Sequence, residues 1–294
     1  MDRTRQVTVA ADGRTLTFAE WGDLRGVPVF KLHGTPGCRL DRYPNQDLVR
    51  QSGARVISYD RPGYGGSDRR KGRTVADCAS DIAAIADALG LDRFAVTGSS
   101  GGGPHALAVA ALLDERVTRV LVTASLAPRG AFGDQWLEGM DPENVKEMEW
   151  ALQGESVLGP ELRRIDATAR ELAATNPNAV FEAFDLPGSD RIVLAREDRA
   201  AILTEVILEE SCNGIWGWAD DDLAFVEPWG FDPADIGVTT QVIYGTQDVL
   251  VPPSHGAWIA SVVPEVVVKV TDLGHMGDPD ADTVHSLTWL TSAS

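Results

Sequence analysis

Hydrophobic and polar positions along the chain follow two alternating spacings. Short runs rich in β-branched and aromatic residues are typical of strands, and longer segments with apolar residues three or four positions apart are typical of helices. The two kinds of segment alternate, which predicts an α/β fold with a mostly parallel, eight-stranded sheet flanked by helices. The predicted strands are residues 6–9, 15–20, 27–32, 55–59, 93–97, 119–123, 240–244 and 266–270, of which the first two should pair antiparallel.

Helical spacing is clearest between the fourth and fifth predicted strands. Apolar residues recur at intervals of three and four over 75–89, and Gly90 follows as a helix end. Residues 131–230 show helical spacing without convincing strands, for example over 160–174 and 198–210. We therefore predict a first core segment over 1–130, a helical cap insertion over 131–230 and a second core segment over 231–294.

The charge of the chain is strongly negative and unevenly distributed. The 26 basic and 44 acidic residues give a formal net charge of −18. Such a surplus repels nucleic-acid phosphates and anionic lipid headgroups, so we expect neither nucleic acid nor membrane as a partner. Residues 131–230 hold 22 acidic and 7 basic residues, which supports the view that this segment is a separate body.

Apolar run length and cysteine usage bear on location. The longest uninterrupted apolar run, residues 106–113, has eight residues, whereas a membrane-spanning helix needs about 20. The N-terminus lacks the apolar core of a signal peptide, and Cys38, Cys78 and Cys212 form no CxxC pair. We therefore expect a cytoplasmic protein. The oligomeric state is left open.

The most specific local pattern is GSSGG at positions 98–102, a match to G-x-S-x-G. It follows an apolar strand and opens an apolar helix, which is the setting of a nucleophile elbow. Ser100 occupies the centre, because Ser99 would need a glycine where Thr97 stands. Small neighbours permit a strained turn, and the helix N-terminus favours developing negative charge. We predict that Ser100 is a nucleophile, with a glycine-rich structural turn as the alternative.

A serine nucleophile needs a general base and a group that orients the base. Asp248 follows the seventh predicted strand and His275 follows the eighth, so both should lie at the same sheet edge as Ser100. We predict that His275 is the base and Asp248 the orienting acid, with Asp272 as an alternative acid. The other histidines, which lie in a loop or on predicted helices, are His33, His105, His255 and His285.

The oxyanion of an acyl-transfer reaction needs two N–H donors. One should be the amide of Gly101, directly after the predicted nucleophile. The loop HGTPG at 33–37 can supply the amide of Thr35, whereas Pro36 has no N–H to donate. We predict this pair as the oxyanion hole. The alternative is an ordinary turn at the exit of the third strand.

Taken together, these segments resemble the α/β-hydrolase fold superfamily. The motifs that carry the resemblance are HGTPG at 33–37, DRPGYGGS at 60–67, GSSGGG at 98–103, GTQD at 245–248 and GH at 274–275. It covers about residues 5–130 and 235–294 and is greatest with the cap-bearing, serine-nucleophile branch, which includes esterases, haloperoxidase-like proteins and prolyl iminopeptidases. The resemblance implies the triad Ser100, Asp248 and His275, the oxyanion donors Thr35 and Gly101, and a mobile cap over the pocket.

The motifs also narrow the expected activity. Epoxide hydrolases and haloalkane dehalogenases place aspartate at the elbow, and Ser100 argues against both. Prolyl iminopeptidases usually carry GGSWG, where this chain has Gly101 in place of the tryptophan. We therefore expect a small-molecule substrate, namely a small or medium uncharged carboxylic ester, which is hydrolysed through an acyl-enzyme without a metal or cofactor.

Three other functions remain open. One is an N-terminal exopeptidase or amidase, in which insertion carboxylates such as Glu205 or Glu209 would hold a substrate ammonium. The alternative for these carboxylates, which we favour, is a solvated helix face. The second is a hydrolase of C–C bonds in a diketone-like substrate. The third is a non-catalytic ligand receptor, which the joint presence of Ser100, Asp248 and His275 disfavours.

Overall fold

A computed structural model describes residues 4–9, 12–173 and 175–292. Its strands are β1 (Thr4–Thr8), β2 (Thr15–Gly22), β3 (Val27–Leu32), β4 (Ala54–Tyr59), β5 (Phe94–Ser99), β6 (Val117–Thr123), β7 (Thr240–Gly245) and β8 (Val266–Thr271). They form one sheet in the order β1-β2-β4-β3-β5-β6-β7-β8. β2 pairs antiparallel with β1 and β4, and the other pairs are parallel. The predicted mostly parallel, eight-stranded sheet is confirmed.

Helices cover both faces of this sheet. They are α1 (Gln46–Gln51), α2 (Cys78–Ala88), α3 (Gly102–Leu112), α4 (Pro142–Gln153), α5 (Glu155–Ala173), α6 (Gly188–Leu194), α7 (Glu197–Glu210), α8 (Trp216–Val226), α9 (Pro253–Val262) and α10 (Pro279–Thr291). α2, α3 and α9 pack on one face, and α1 and α10 on the other. Within the described residues, no helix is long and apolar enough to cross a membrane.

The segment between β6 and β7 contributes no strand over residues 131–173 and 175–230 and contains helices α4 to α8. We call residues 131–230 the helical insertion. The predicted helix over 160–174 was wrong at its start, since α5 begins at Glu155. Gly154 has φ +95° and separates α4 from α5, so the second helix begins directly after this glycine. Residue 174 lies outside the described residues.

The predicted strands differ from the observed ones by no more than two residues at either end. This agreement has a physical cause in the central strands β3 to β6, each of which contains a run of two or three buried apolar residues because both faces of the sheet are covered. Between β4 and β5, the predicted helical segment begins with a 3-10 turn at Val75–Asp77 and continues as α2. The carboxyl ends of β3, β5, β6, β7 and β8 all lie at one edge of the sheet. The loops that carry the predicted site residues follow these strand ends.

Helix α3 packs on β5, β6 and α2, and its side chains are buried over most of its length. Leu107 is fully buried, so Leu107→Ala should lower the free energy of unfolding by about 2–5 kcal/mol through lost contacts and a residual cavity. Leu112→Ala is the matched control, because Leu112 on the same helix is 45% exposed. It should cost about 1 kcal/mol or less. Urea unfolding of both variants makes the comparison, and equal losses would contradict this account of the core.

Candidate active site

The turn between β5 and α3 is sharp and contains Ser100. The Ser100 amide donates to the carbonyl of Thr123 on β6 (3.0 Å), and the Ser100 carbonyl accepts from the amide of Gly103 (2.9 Å). A Cβ at Gly98 would lie 2.2 Å from the carbonyl oxygen of Gly102, and a Cβ at Gly102 would lie 2.2 Å from the carbonyl oxygen of Leu32. Both glycines are therefore needed for the close approach of strand, turn and helix.

Backbone strain is concentrated at this edge of the sheet. Among the described non-glycine residues, only Ser100 (φ +54°) and Ala124 (φ +48°) adopt positive φ. They follow the neighbouring strands β5 and β6. Left-handed backbone costs an ordinary residue about 1–2 kcal/mol, and such strain persists where the surroundings enforce it, often at functional sites. The strain projects the Ser100 side chain out of the regular course of β5 and α3.

Asp248 and His275 meet at the same edge. Asp248 follows β7 and is buried, and His275 follows β8 and is partly buried. The Nδ1 atom of His275 lies 2.9 Å from Oδ2 and 3.1 Å from Oδ1 of Asp248. Oδ1 also accepts from the amides of Leu250 and Val251, each at 2.9 Å, which fixes the carboxylate. Because an ionised carboxylate can only accept, Nδ1 donates and Nε2 is the nitrogen that can accept a proton.

The charge around His275 favours its protonated form. Burial disfavours the imidazolium, but the charge of Asp248, its hydrogen bond and the charge of Asp190 outweigh burial. The pKa of His275 is therefore raised above its usual 6.5. Ser99, Thr123 and His275 line one cavity. The elbow therefore borders the same space as the loop over residues 272–278, which carries the predicted base and which we call the base loop.

The competing acid is exposed, and the competing histidines have hydrogen-bond partners of their own. Asp272 is exposed, and its carbonyl oxygen accepts a hydrogen bond from Gln247 (2.6 Å). His255 accepts from the amide of Ala127 at Nδ1 (3.1 Å) and donates to the carbonyl of Trp136 from Nε2 (3.0 Å), and burial lowers its pKa to about 4. The three remaining histidines are also hydrogen-bonded: His33 to Gly34, His105 to Asp221 and His285 to Gln241. The structure thus brings Asp248, rather than Asp272, to His275.

The loop after β3 contacts the elbow directly. A Cβ at Gly34 would lie 3.6 Å from Cβ of Ser100, and a Cβ at Gly101 would lie 3.1 Å from the amide nitrogen and 2.3 Å from Oγ1 of Thr35. The predicted oxyanion donors, Thr35 and Gly101, are therefore neighbours beside Ser100. The peptide between Thr35 and Pro36 is cis.

A buried ionic cluster holds this loop in place, and the sequence did not predict it. The Arg61 guanidinium donates to the carbonyl of His33, to that of Gly34 (2.8 Å) and to Oγ1 of Thr35 (3.0 Å). It also pairs with Asp221 of α8 at 2.6 Å, and both side chains are fully buried. Thr35 Oγ1 in turn donates to the Asp221 carboxylate (2.7 Å).

Asp221 has three further partners: Arg73 (2.6 Å), Tyr64 (2.9 Å) and His105 (3.1 Å). Burial opposes ionisation of Asp221, but Arg61 and Arg73 outweigh burial and hold its pKa well below the usual range. The DRPGYGGS motif contains Arg61 and Tyr64, so part of the cluster had a sequence signal. Asp221 had none, because it lies in a run of three aspartates that reads as a solvated surface.

Two carboxylates considered for substrate binding are paired with arginines of the core. Glu205 forms a bidentate salt bridge with Arg42 (2.7 and 2.8 Å), and Glu209 forms a salt bridge with Arg39 (2.6 Å). Neither carboxylate is therefore a free receptor for an ammonium group. Among the described residues, no group of three or more histidine, cysteine, aspartate or glutamate side chains is arranged to hold a metal ion.

Comparisons with known proteins agree with this architecture. A family model of the alpha/beta hydrolase fold matches residues 27–277. A non-heme chloroperoxidase of Streptomyces lividans is 34% identical over 145 residues, 48% of this chain and 52% of that protein. A non-heme haloperoxidase of Rhodococcus erythropolis is 29% identical over 285 residues, 94% of this chain and 95% of that protein.

A solved structure extends the likeness in fold. The thermophilic esterase of Thermogutta terrifontis, with malate bound, superposes with a TM-score of 0.67 at 23% identity, over 98% of this chain and 97% of that chain. The chain spans about half the length of most curated relatives that it matches. The family model nevertheless covers β3 to β8, the elbow and both later loops, and this chain belongs to the α/β-hydrolase family.

Proposed function

We propose that the chain is a serine hydrolase that cleaves a small or medium uncharged carboxylic ester through an acyl-enzyme intermediate. Ser100 is the nucleophile, His275 the general base and Asp248 the orienting acid. The observation that carries the proposal is the contact of His275 Nδ1 with both Asp248 oxygens, at 2.9 and 3.1 Å, at the sheet edge where Ser100 is held in a strained turn. This contact leaves Nε2 of the imidazole to accept the serine proton.

The reaction then proceeds in two steps, acylation of Ser100 and hydrolysis of the acyl-enzyme. Ser100 Oγ attacks the ester carbonyl carbon while His275 Nε2 takes the hydroxyl proton, and the carbonyl π electrons move onto oxygen. Collapse of the tetrahedral intermediate breaks the bond to the alcohol oxygen, which receives the proton from His275. Water attacks the acyl-enzyme with His275 again as base, releasing the acid and restoring Ser100.

The oxyanion would be stabilised by the amides of Gly101 and Thr35. Support comes from the contact between these residues and from the Arg61–Asp221 cluster, which fixes the Thr35 loop before substrate arrives. Donors fixed in advance stabilise developing charge without reorganisation, and one such donor is worth about 10²–10³-fold in kcat. The helix α3 that follows Gly101 adds the positive end of its dipole.

Support for an ester substrate comes from a protein of the same fold. The Thermogutta terrifontis neighbour is an esterase. The net charge of −15 on the helical insertion would disfavour anionic substrates if the insertion roofs the pocket as a cap, a role that we also propose. We further propose a cytoplasmic location, which the three free cysteines support.

Ser100→Ala should reduce kcat on the order of 10⁶-fold, because removing the nucleophile disables the whole triad. The fold should persist, since alanine fits the space of serine. A fluorophosphonate probe followed by peptide mass spectrometry should label Ser100 in the parent and nothing in the variant. Ser99→Ala is the matched control and should keep labelling at Ser100. Labelling of Ser99 in the Ser100→Ala variant would overturn the assignment.

The value of kcat/KM should fall in acid along a limb whose pKa lies above 6.5, because the neutral form of His275 is the base and the pKa of His275 is raised. Asp248→Asn should lower kcat by about 10⁴-fold, since the imidazole loses its orienting charge. It should also move the limb to lower pH. Asp272→Asn is the control and should resemble the parent. The reverse result, with Asp272→Asn inactive and Asp248→Asn active, would assign the acid to Asp272.

A substrate panel tests the bond that is cleaved. We expect turnover of p-nitrophenyl esters, with kcat/KM highest for short or medium acyl chains, and little turnover of aminoacyl p-nitroanilides. Both substrate types release p-nitro chromophores, so rates can be compared directly in one spectrophotometric assay. Faster cleavage of the anilides than of the esters would replace the esterase proposal by an exopeptidase.

A further inference from the structure

The base loop is held from outside the core by two neighbouring residues of α6, in the helical insertion. Ser189 Oγ accepts from the amide of Gly274 (3.1 Å). Asp190 Oδ2 accepts from the amide of His275 (2.9 Å), and Oδ1 accepts from the amide of Met276 (3.0 Å). Three consecutive amides around the proposed base are thus bound by two consecutive side chains of the insertion.

The contact is buried and closely fitted. Asp190 is fully buried. A Cβ at Gly274 would lie 2.5 Å from each carboxylate oxygen of Asp190, so only a glycine at 274 lets this carboxylate approach the loop. The glycine of the GH motif is therefore explained by the insertion that packs against it.

Apolar contacts reinforce the same junction. Leu186 precedes α6 and Leu194 ends it, and we call residues 186–194 the α6 region. These two leucines form an apolar cluster with Leu250, and Val249 and Met276 pack against that cluster. Val249 and Leu250 directly follow Asp248, and Met276 follows His275. The α6 region therefore contacts both loops that carry the proposed acid and base.

The charge of Asp190 acts on the imidazole as well. Asp248, from the loop after β7, and Asp190, from α6, both favour the imidazolium of His275. Burial raises the pKa of Asp190, and hydrogen bonds from the amides of Met276 and His275 oppose that rise. The groups that favour the ionised form of Asp190 are the amides of Met276 and His275 and the charge of His275.

We propose that Asp190 is a positioning residue for the base, so that His275 keeps its catalytic orientation only while α6 is packed against the core. The inference rests on the proposed role of His275 as the general base. It gives the helical insertion a part in assembling the triad, beyond covering a pocket. Asp190 acts through the backbone of residues 274–276 and through its charge.

The test compares Asp190→Ala, Asp190→Asn and Ser189→Ala with Asp185→Asn. Asp185 is the matched control, because its side chain is fully exposed and lies just before α6. For each variant, kcat and KM with a p-nitrophenyl ester and the rate of fluorophosphonate labelling are measured over a pH series. Thermal unfolding verifies that each variant is folded.

Asp190→Ala should lower kcat and the labelling rate by about 100-fold with KM nearly unchanged, the loss typical of a misplaced catalytic group. Its acid limb should move to lower pH, because a carboxylate that stabilises the imidazolium is gone. Asp190→Asn should show the same shift with a smaller loss, since it keeps one acceptor oxygen. Ser189→Ala should lose some activity without a shift, and Asp185→Asn should match the parent.

Two outcomes would overturn the inference. One is a folded Asp190→Asn variant with the parent's kcat, labelling rate and acid limb. The other is a loss of kcat with no movement of the limb, which would indicate general structural damage. If Asp190→Ala does not fold, the isosteric Asn variant decides the matter. Failure of the proposed function would be distinct, because the parent enzyme itself would then not be labelled at Ser100.

Discussion

The buried charge of Asp221 is the constraint on which the arrangement of the site depends. A carboxylate without exposure is stable only when hydrogen bonds and opposite charges replace its lost hydration, and an unpaired buried ion costs several kcal/mol. Asp221 gains these partners from Arg61, Arg73, Tyr64, His105 and Thr35. All five belong to segments that follow β3, β4 or β5. Satisfying one carboxylate of the insertion therefore fixes several loops of the core at once.

The cluster explains why the loop after β3 can be rigid without regular secondary structure. The carbonyls of His33 and Gly34 are held by the Arg61 guanidinium, and the hydroxyl of Thr35 bridges Arg61 and Asp221. A loop whose polar groups are held by planar, fully charged donors has few alternative conformations. Such a network contributes more to geometry than to net stability, because much of its Coulombic attraction is offset by desolvation.

Much of the fold could be predicted from the sequence because its signals are local. Apolar runs mark β3 to β8 within two residues, and the parallel topology brings Ser100, Asp248 and His275 to one edge without further information. Asp190 and Asp221 escaped prediction because their partners lie 85 and 160 residues away along the chain. No spacing rule connects such pairs, and an aspartate within a polar segment looks the same whether it is solvated or buried.

Ion pairs between the insertion and the core account for part of the negative charge concentrated in residues 131–230. Acidic residues of the insertion pair with basic residues between positions 39 and 73 of the core. The pairs are Glu209 with Arg39, Glu205 with Arg42, Asp221 with Arg61 and Arg73, Asp220 with Arg69, and Glu155 with Arg69 and Lys71. The sequence suggested either a solvated face or a receptor for an ammonium group, and neither includes this pairing. The partly exposed pairs, which are those of Glu205 and Glu155, contribute little energy individually. Together with the buried pairs they favour the orientation in which the insertion meets the core. The buried carboxylates Asp221 and Asp190 then complete the junction at two separate loops, one beside the predicted oxyanion donors and the other at the predicted base. A shift of an insertion attached in this way would disturb the backbone of the two loops that carry the predicted oxyanion donor Thr35 and the predicted base His275.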